Sequence, residues 1–103
     1  MAEKNKYPLD YERRFGGVAK LYTKAGAERL KNAHVCVVGL GGVGSWAAEA
    51  LARTAVGRIT LVDLDNVAES NTNRQLQAMT GVYGNPKVDA TAERIHAINP
   101  LCD

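Results

Sequence analysis

Val35-Cys36-Val37-Val38-Gly39-Leu40-Gly41-Gly42-Val43-Gly44 decides how this 103-residue chain is to be read. Four apolar residues in a row predict a strand buried on both faces, with Cys36 as a small buried thiol. A glycine turn follows the run without a gap. Gly39, Gly41 and Gly44 have the spacing of a dinucleotide turn: one glycine for the tight bend, one for close approach of a phosphate, one for helix–strand packing. Gly42 lies in the same turn. The helix that follows aims its free N–H groups and the positive end of its dipole at an anion.

Working outward from that turn, the periodicity predicts a strand over His34 to Val38 and a helix over Val43 to Val56. Val43, Ala47, Ala50, Leu51 and Thr54 form the helix stripe, and Gly57 is its C-terminal cap. A second strand covers Arg58 to Val62, and a loop with one short helical turn follows. Asn85 reads as an N-cap with Pro86 in the first helical position. That helix runs to about Ile98 on Val88, Ala92, Ile95 and Ile98, and Asn99-Pro100 stops it. Upstream, residues 1–10 read as irregular. Tyr11 to Gly17 reads as a short helix ending at Gly16-Gly17, and Thr23 to Lys31 as another with Ala27 and Leu30 inward.

The order strand, glycine turn, helix, strand, loop, helix opens a Rossmann-like, doubly wound α/β parallel sheet. Residues 1–32 form an N-terminal helical segment. Residues 33–103 are the start of the nucleotide-binding domain, with two strands and their flanking helices. A third parallel strand is due at Leu101-Cys102-Asp103, so the expected chain is the N-terminal piece of a longer protein, with open strand edges.

Composition sets bounds on the class. Hydrophobic residues make up 46 % and charged residues 23 %, ordinary values for a globular domain. No apolar run approaches the length of a membrane span, and the N-terminus lacks a signal-type apolar core. With two cysteines and no CxxC pair, a reducing, cytoplasmic setting is expected and no metal site is assigned. The net charge of +2 is uneven: residues 1–31 carry eight Lys or Arg against four acids. That basic segment is either a solvated face or one that meets phosphates or nucleic acid.

Several polar residues carry the chemistry. Asp63, at the end of the second strand, is placed to accept from ribose hydroxyls, as NAD, FAD and ATP sites all require. Asp65 either caps the next turn or approaches a metal ion near the phosphates. Ser70-Asn71-Thr72-Asn73-Arg74-Gln75 is polar with one arginine, whose planar donor fork suits a triphosphate. In isolation Arg74 is equally a solvated loop residue. Lys87 falls in the first turn of its helix, where a cation opposes the dipole unless a phosphate is bound; a tolerated surface lysine is the alternative. Trp46 reads as helix packing rather than base stacking, and His34 and His96 receive no role. GxxxxGK[ST] is absent, which removes the P-loop alternative.

Gly39–Gly44, Leu61-Val62-Asp63-Leu64-Asp65, Asn71-Thr72-Asn73-Arg74-Gln75 and Pro86-Lys87 together resemble the nucleotide half of the ubiquitin-activating-like superfamily, over about Tyr11 to Pro100. Arg13-Arg14-Phe15-Gly16-Gly17, Leu21-Tyr22 and the run from Gly41 to Thr54, with Ser45-Trp46, resemble the tRNA threonylcarbamoyladenosine dehydratase branch. The resemblance implies ATP as substrate with Mg2+, adenylation of a carboxylate on a tRNA adenosine, and ring closure with AMP leaving. It further implies that Gly39, Gly41, Gly42 and Gly44 hold phosphates, that Asp63 takes the ribose, and that Asp65, Ser70, Asn71, Arg74, Gln75 and Lys87 complete the ATP site. Arg74 and Lys87 would be catalytic. Arg14 would be the arginine that crosses a homodimer to the partner's ATP, with Arg13 the next best match. The superfamily's metal-binding aspartate and functional cysteine fall beyond residue 103, and Cys102 does not match that cysteine.

Three other readings stand beside this one. An adenylyltransferase for a ubiquitin-like sulfur carrier would have a sulfur-transfer protein partner. An NAD-dependent oxidoreductase shares Gly39–Gly44 and Asp63 but gives no reason for Arg74 and Lys87. A non-catalytic binding module would keep ATP affinity without turnover.

Overall fold

The computed structural model describes residues 9–103, so the expectation of irregular chain over residues 1–8 lies outside the described residues. The elements are α1 (Tyr11–Lys31), β1 (His34–Val38), α2 (Gly44–Arg53), β2 (Arg58–Val62), a 3-10 turn at Glu69–Asn71, and α3 (Lys87–Ile98). β1 and β2 pair in parallel, from His34 opposite Arg58 to Val38 opposite Val62. This is the expected α/β opening, and both strands have the expected bounds.

Where helices begin and end differs from the expectation. The Asp10 carboxylate caps α1 by accepting from the Arg13 N–H at 3.1 Å. The helix does not stop at Gly16-Gly17; it breaks at Thr23, whose φ of 70° is non-helical. There the Thr23 hydroxyl oxygen accepts from the Gly26 N–H and starts the second half. The two halves are tied at their far ends by the Lys31 ammonium, 4.7 Å over the Tyr11 ring, and the Tyr11 ring packs within the first half 5.0 Å from Phe15. Packing thus carries the helix through two glycines that propensity would use as a stop.

α2 is shorter than predicted, and it is turned on its axis. Its buried residues are Ser45, Ala48 and Ala52, while Val43 is 84 % exposed and Ala47 and Ala50 face solvent. Ser45 sets this phase by turning inward to the glycine turn. Gly57 is not the cap: Thr54 occupies that position, Ala55 takes the positive φ, and the Gly57 N–H donates to the Leu30 carbonyl.

Among the described residues, the sheet is covered on one face only. Val37, Leu40, Ala48, Ala52, Ile95 and Cys102 form the core, with Leu51, Ile59, Leu61, Val88 and Ile98 against it. His34, Cys36 and Val38 point the other way and are exposed, so Cys36 is not the buried thiol its strand suggested. The unbroken apolar run hides an alternation because both faces are apolar by composition while only one is packed. α3 starts at Lys87 with Pro86 as N-cap; Asn85 lies one residue outside, its carbonyl accepting from Val67 N–H. The Asp103 N–H donates to the Gly57 carbonyl, and the Asp103 carbonyl accepts from Ile59 N–H. That is the pattern of a parallel ladder on the free side of β2. No helix among the described residues is long and apolar enough to cross a membrane.

Candidate functional site

The residues singled out from the sequence gather at the C-terminal ends of the two strands. Gly39 leaves β1 at φ +88°, and a Cβ on Gly44 would lie 1.7 Å from the Gly39 carbonyl oxygen. The turn therefore requires glycine at both positions. Leu40 is fully buried and pins the turn from inside: its N–H donates to the Asp63 carboxylate at 2.7 Å, and its carbonyl accepts from the Gln77 amide at 3.0 Å.

Asp63 holds more than its own strand end. One carboxylate oxygen takes the Leu40 N–H, and the other takes the Asp65 N–H at 2.8 Å. These two bonds, Leu40 first, hold its carboxyl below the usual carboxylate range, and the Lys87 charge lowers it further. An ionised carboxylate has lone pairs left for a hydroxyl donor. Asp65 caps nothing with its side chain; its carbonyl accepts from the Lys87 N–H at 3.0 Å. This bond, with the Asn66–Pro86 bridge, seats the start of α3 beside the end of β2.

The polar segment folds back over the glycine turn. Asn71 is buried, and its side-chain oxygen accepts from Ala68 N–H. Ser70 is exposed, and its carbonyl and the Asn73 amide oxygen both accept from the Arg74 guanidinium at 3.0 Å. Gly42 lies against Arg74, and Gly41 faces the Gln75 amide. Gln75 is buried, with its amide oxygen unpartnered.

Three residues to which the site reading gave no binding role hold this arrangement. Ser45, 1 % exposed, donates its hydroxyl to the Gly41 carbonyl at 2.6 Å and accepts from Leu76 N–H at 3.2 Å. Trp46, half exposed, donates its indole N–H to the Arg74 carbonyl at 3.0 Å, so it serves neither as core packing nor as a free stacking surface. Gln77 is the third, and nothing in its local sequence distinguishes it.

Two charges stand out. Lys87 is only 6 % exposed, yet it joins none of the three ion pairs among the described residues. The N-terminus of α2 has no side-chain cap and no acid in its first turn. The start of α2 can therefore receive an anion at the glycine turn, with Arg74 against Gly42 and Lys87 near enough to Asp63 to lower its carboxyl. No cluster of three or more His, Cys, Asp or Glu is present among the described residues. Arg14 lies elsewhere: its guanidinium donates to the carbonyl of Ile98, at the far end of α3, at 3.1 Å, and Arg13 engages Asp10 through its backbone. The clefts of about 470 and 280 Å³ also lie away from the glycine turn.

Comparison with known proteins gives the family and the relatives of the chain. The ThiF family profile matches residues 11–103. A tRNA threonylcarbamoyladenosine dehydratase of Haemophilus influenzae is 52 % identical over 93 residues, which is 90 % of this chain and 36 % of that protein. The crystal structure of the E. coli tRNA N6-threonylcarbamoyladenosine dehydratase in complex with ATP superposes with a TM-score of 0.88 at 54 % identity, covering 89 % of this chain and 38 % of that one. A molybdopterin-synthase adenylyltransferase of Salmonella typhimurium is 45 % identical over 75 residues, 73 % of this chain and 30 % of that protein. The chain thus spans about a third of the length of the curated relatives it matches.

Proposed function

The chain belongs to the ThiF family, and from that we propose that it is the ATP-binding portion of an adenylating enzyme that dehydrates threonylcarbamoyladenosine in tRNA to its cyclic form. A carboxylate oxygen of the threonylcarbamoyl group attacks the α-phosphorus of ATP, and pyrophosphate leaves. A tethered nucleophile of the same group then closes the ring on the acyl carbon, and AMP leaves. Tethering makes the second step effectively unimolecular.

Lys87 carries this reading. A cation that is 6 % exposed and outside every ion pair among the described residues, with the Asp63 carboxylate as a nearby negative charge, is costly to bury, and a triphosphate on the glycine turn adds counter-charge. The Gln75 amide nitrogen facing Gly41 and the uncapped start of α2 fit the same ligand. In this proposal Gly39, Gly41, Gly42 and Gly44 face the phosphates, and Asp63 accepts from the ribose. Asp65, Ser70, Asn71 and Gln75 line the rest. Arg74 and Lys87 stabilise charge as the α-phosphate is attacked. Mg2+, brought with the nucleotide, would offset phosphate charge alongside Arg74 and Lys87. Arg14 acts across a homodimer, a role in which it gives up its bond to the Ile98 carbonyl. The setting is the cytoplasm, where tRNA and ATP meet. Ser45, which bridges Gly41 and Leu76, and Trp46, which binds the Arg74 carbonyl, favour the dehydratase over the sulfur-carrier adenylyltransferase reading with its protein partner.

Thermal unfolding of the chain with Mg-ATP, and separately with NAD, tests the proposal. A ligand that binds only the folded state at a hundredfold excess over Kd adds about 2.7 kcal/mol. We expect an ATP-selective rise in Tm that Lys87→Met abolishes. Without ligand, Lys87→Met should be at least as stable as the parent, because it removes a buried charge at similar volume. A rise with NAD alone, or an unchanged ATP response in Lys87→Met, overturns the assignment.

A further inference from the structure

A second basic site lies away from the glycine turn. Arg14, Phe15, Arg53, Arg94, Ala97 and Ile98 line a cleft of about 470 Å³, built from α1, α2 and the C-terminal half of α3. Three guanidiniums face it. Glu49 pairs with two of them: Arg94, and Arg53 at 3.4 Å. The hydrogen bond from Arg94, helped by the Arg53 charge, holds the Glu49 carboxyl below its usual range, so it stays ionised and offsets one of the two. Arg14 donates to the Ile98 carbonyl, which satisfies a donor without cancelling its charge. The cleft therefore keeps an excess of positive charge.

The form of the cleft selects among anions. Its floor, Phe15, Ala97 and Ile98, is apolar. Its cations come from three separate helices, and the Arg53 and Arg94 side chains remain 59 % and 35 % exposed. A small anion site converges buried donors on one point; here Arg53 is largely exposed, Arg94 partly so, and both flank the Glu49 carboxylate beside an open cleft. That arrangement suits a chain of phosphates, each taken by a guanidinium.

We propose that this cleft binds the sugar-phosphate backbone of the substrate tRNA, with Arg53 and Arg94 as phosphate contacts whose charge Glu49 partly offsets in the free chain. The proposal rests on the tRNA-directed reading above and adds to it where the RNA lies. Contacts of this kind position a nucleic acid without reading its sequence.

The test is binding of an unmodified tRNA transcript to the chain over a series of salt concentrations. Arg53→Ala/Arg94→Ala should weaken binding by roughly tenfold near 0.1 M salt and reduce the slope of log K against log salt by about 2, one for each phosphate no longer neutralised. Mg-ATP binding should be unchanged in the same variant. Glu49→Gln separates contact from scaffold. It breaks both ion pairs but leaves both cations, so tRNA binding should stay level or tighten. Loss of tRNA binding in Glu49→Gln equal to that in the double variant makes the cluster structural and overturns the proposal. An unchanged salt slope in the double variant overturns it too, as does displacement of tRNA by inorganic triphosphate at matched phosphate concentration. If the parent chain binds ATP but no tRNA, the cleft assignment falls while the nucleotide site stands; if it binds tRNA but no ATP, the nucleotide reading falls instead.

Discussion

The smallest groups in the site have the largest structural consequences. Gly44 can carry no side chain because a Cβ would meet the Gly39 carbonyl oxygen at 1.7 Å, so Gly44→Ala must push the start of α2 off the end of β1. Ser45, next in sequence, bridges the Gly41 carbonyl and the Leu76 N–H. Ser45→Ala leaves that N–H, in a part-buried position, without its acceptor, which costs about 1–3 kcal/mol. We expect urea denaturation of Ser45→Ala to show this loss, together with a weaker Mg-ATP response, because segment 74–76 is then released from the glycine turn. Full ATP affinity in a destabilised Ser45→Ala would separate the bridge from the site. Glycine spacing was legible because a missing Cβ is a local property. The Ser45 bridge was not, because its second partner lies 31 residues away.

Between elements, Asp63 is the main tie across the mouth of the sheet. It ends β2, yet its carboxylate binds the turn that follows β1. Its folded carboxyl titrates below the usual range, chiefly through the Leu40 and Asp65 N–H groups. The unfolded chain therefore takes up a proton at higher pH than the folded one, and the Asp63 contribution is present at neutral pH and lost as pH falls through the folded value. Asp63→Asn should lower stability at pH 7 and lose less on acidification than the parent, measured by denaturation at pH 7 and pH 3. Glu49, lowered by Arg94 and Arg53, keeps part of the acid dependence in the variant. Equal acid sensitivity in both proteins would remove Asp63 from this role. Helix limits were less legible than strand limits. α1 runs through Gly16-Gly17 and breaks at Thr23 because aromatic and cation contacts at its ends outweigh the local cost of glycine.

Over the whole molecule, one sheet face is packed and the other is not, and the two cysteines report the difference. Cys36 lies on the bare face and Cys102 in the core at 4 % exposure. A thiol reagent should label Cys36 at once and Cys102 only on unfolding, with mass spectrometry locating each adduct; early labelling of Cys102 would contradict the core described here. The order of elements, both strand limits, the glycine turn and its company of Asp63, Arg74 and Lys87 follow from the chain alone, because each depends on spacing within a few residues or on a motif. Which face of β1 is covered, the phase of α2, the clamp of Trp46 on Arg74 and the gathering of Arg14, Arg53 and Arg94 in one cleft do not. Those features depend on which surfaces the helices cover once they dock. An apolar run such as Val35-Cys36-Val37-Val38 has no preference between its two faces until a helix takes one of them.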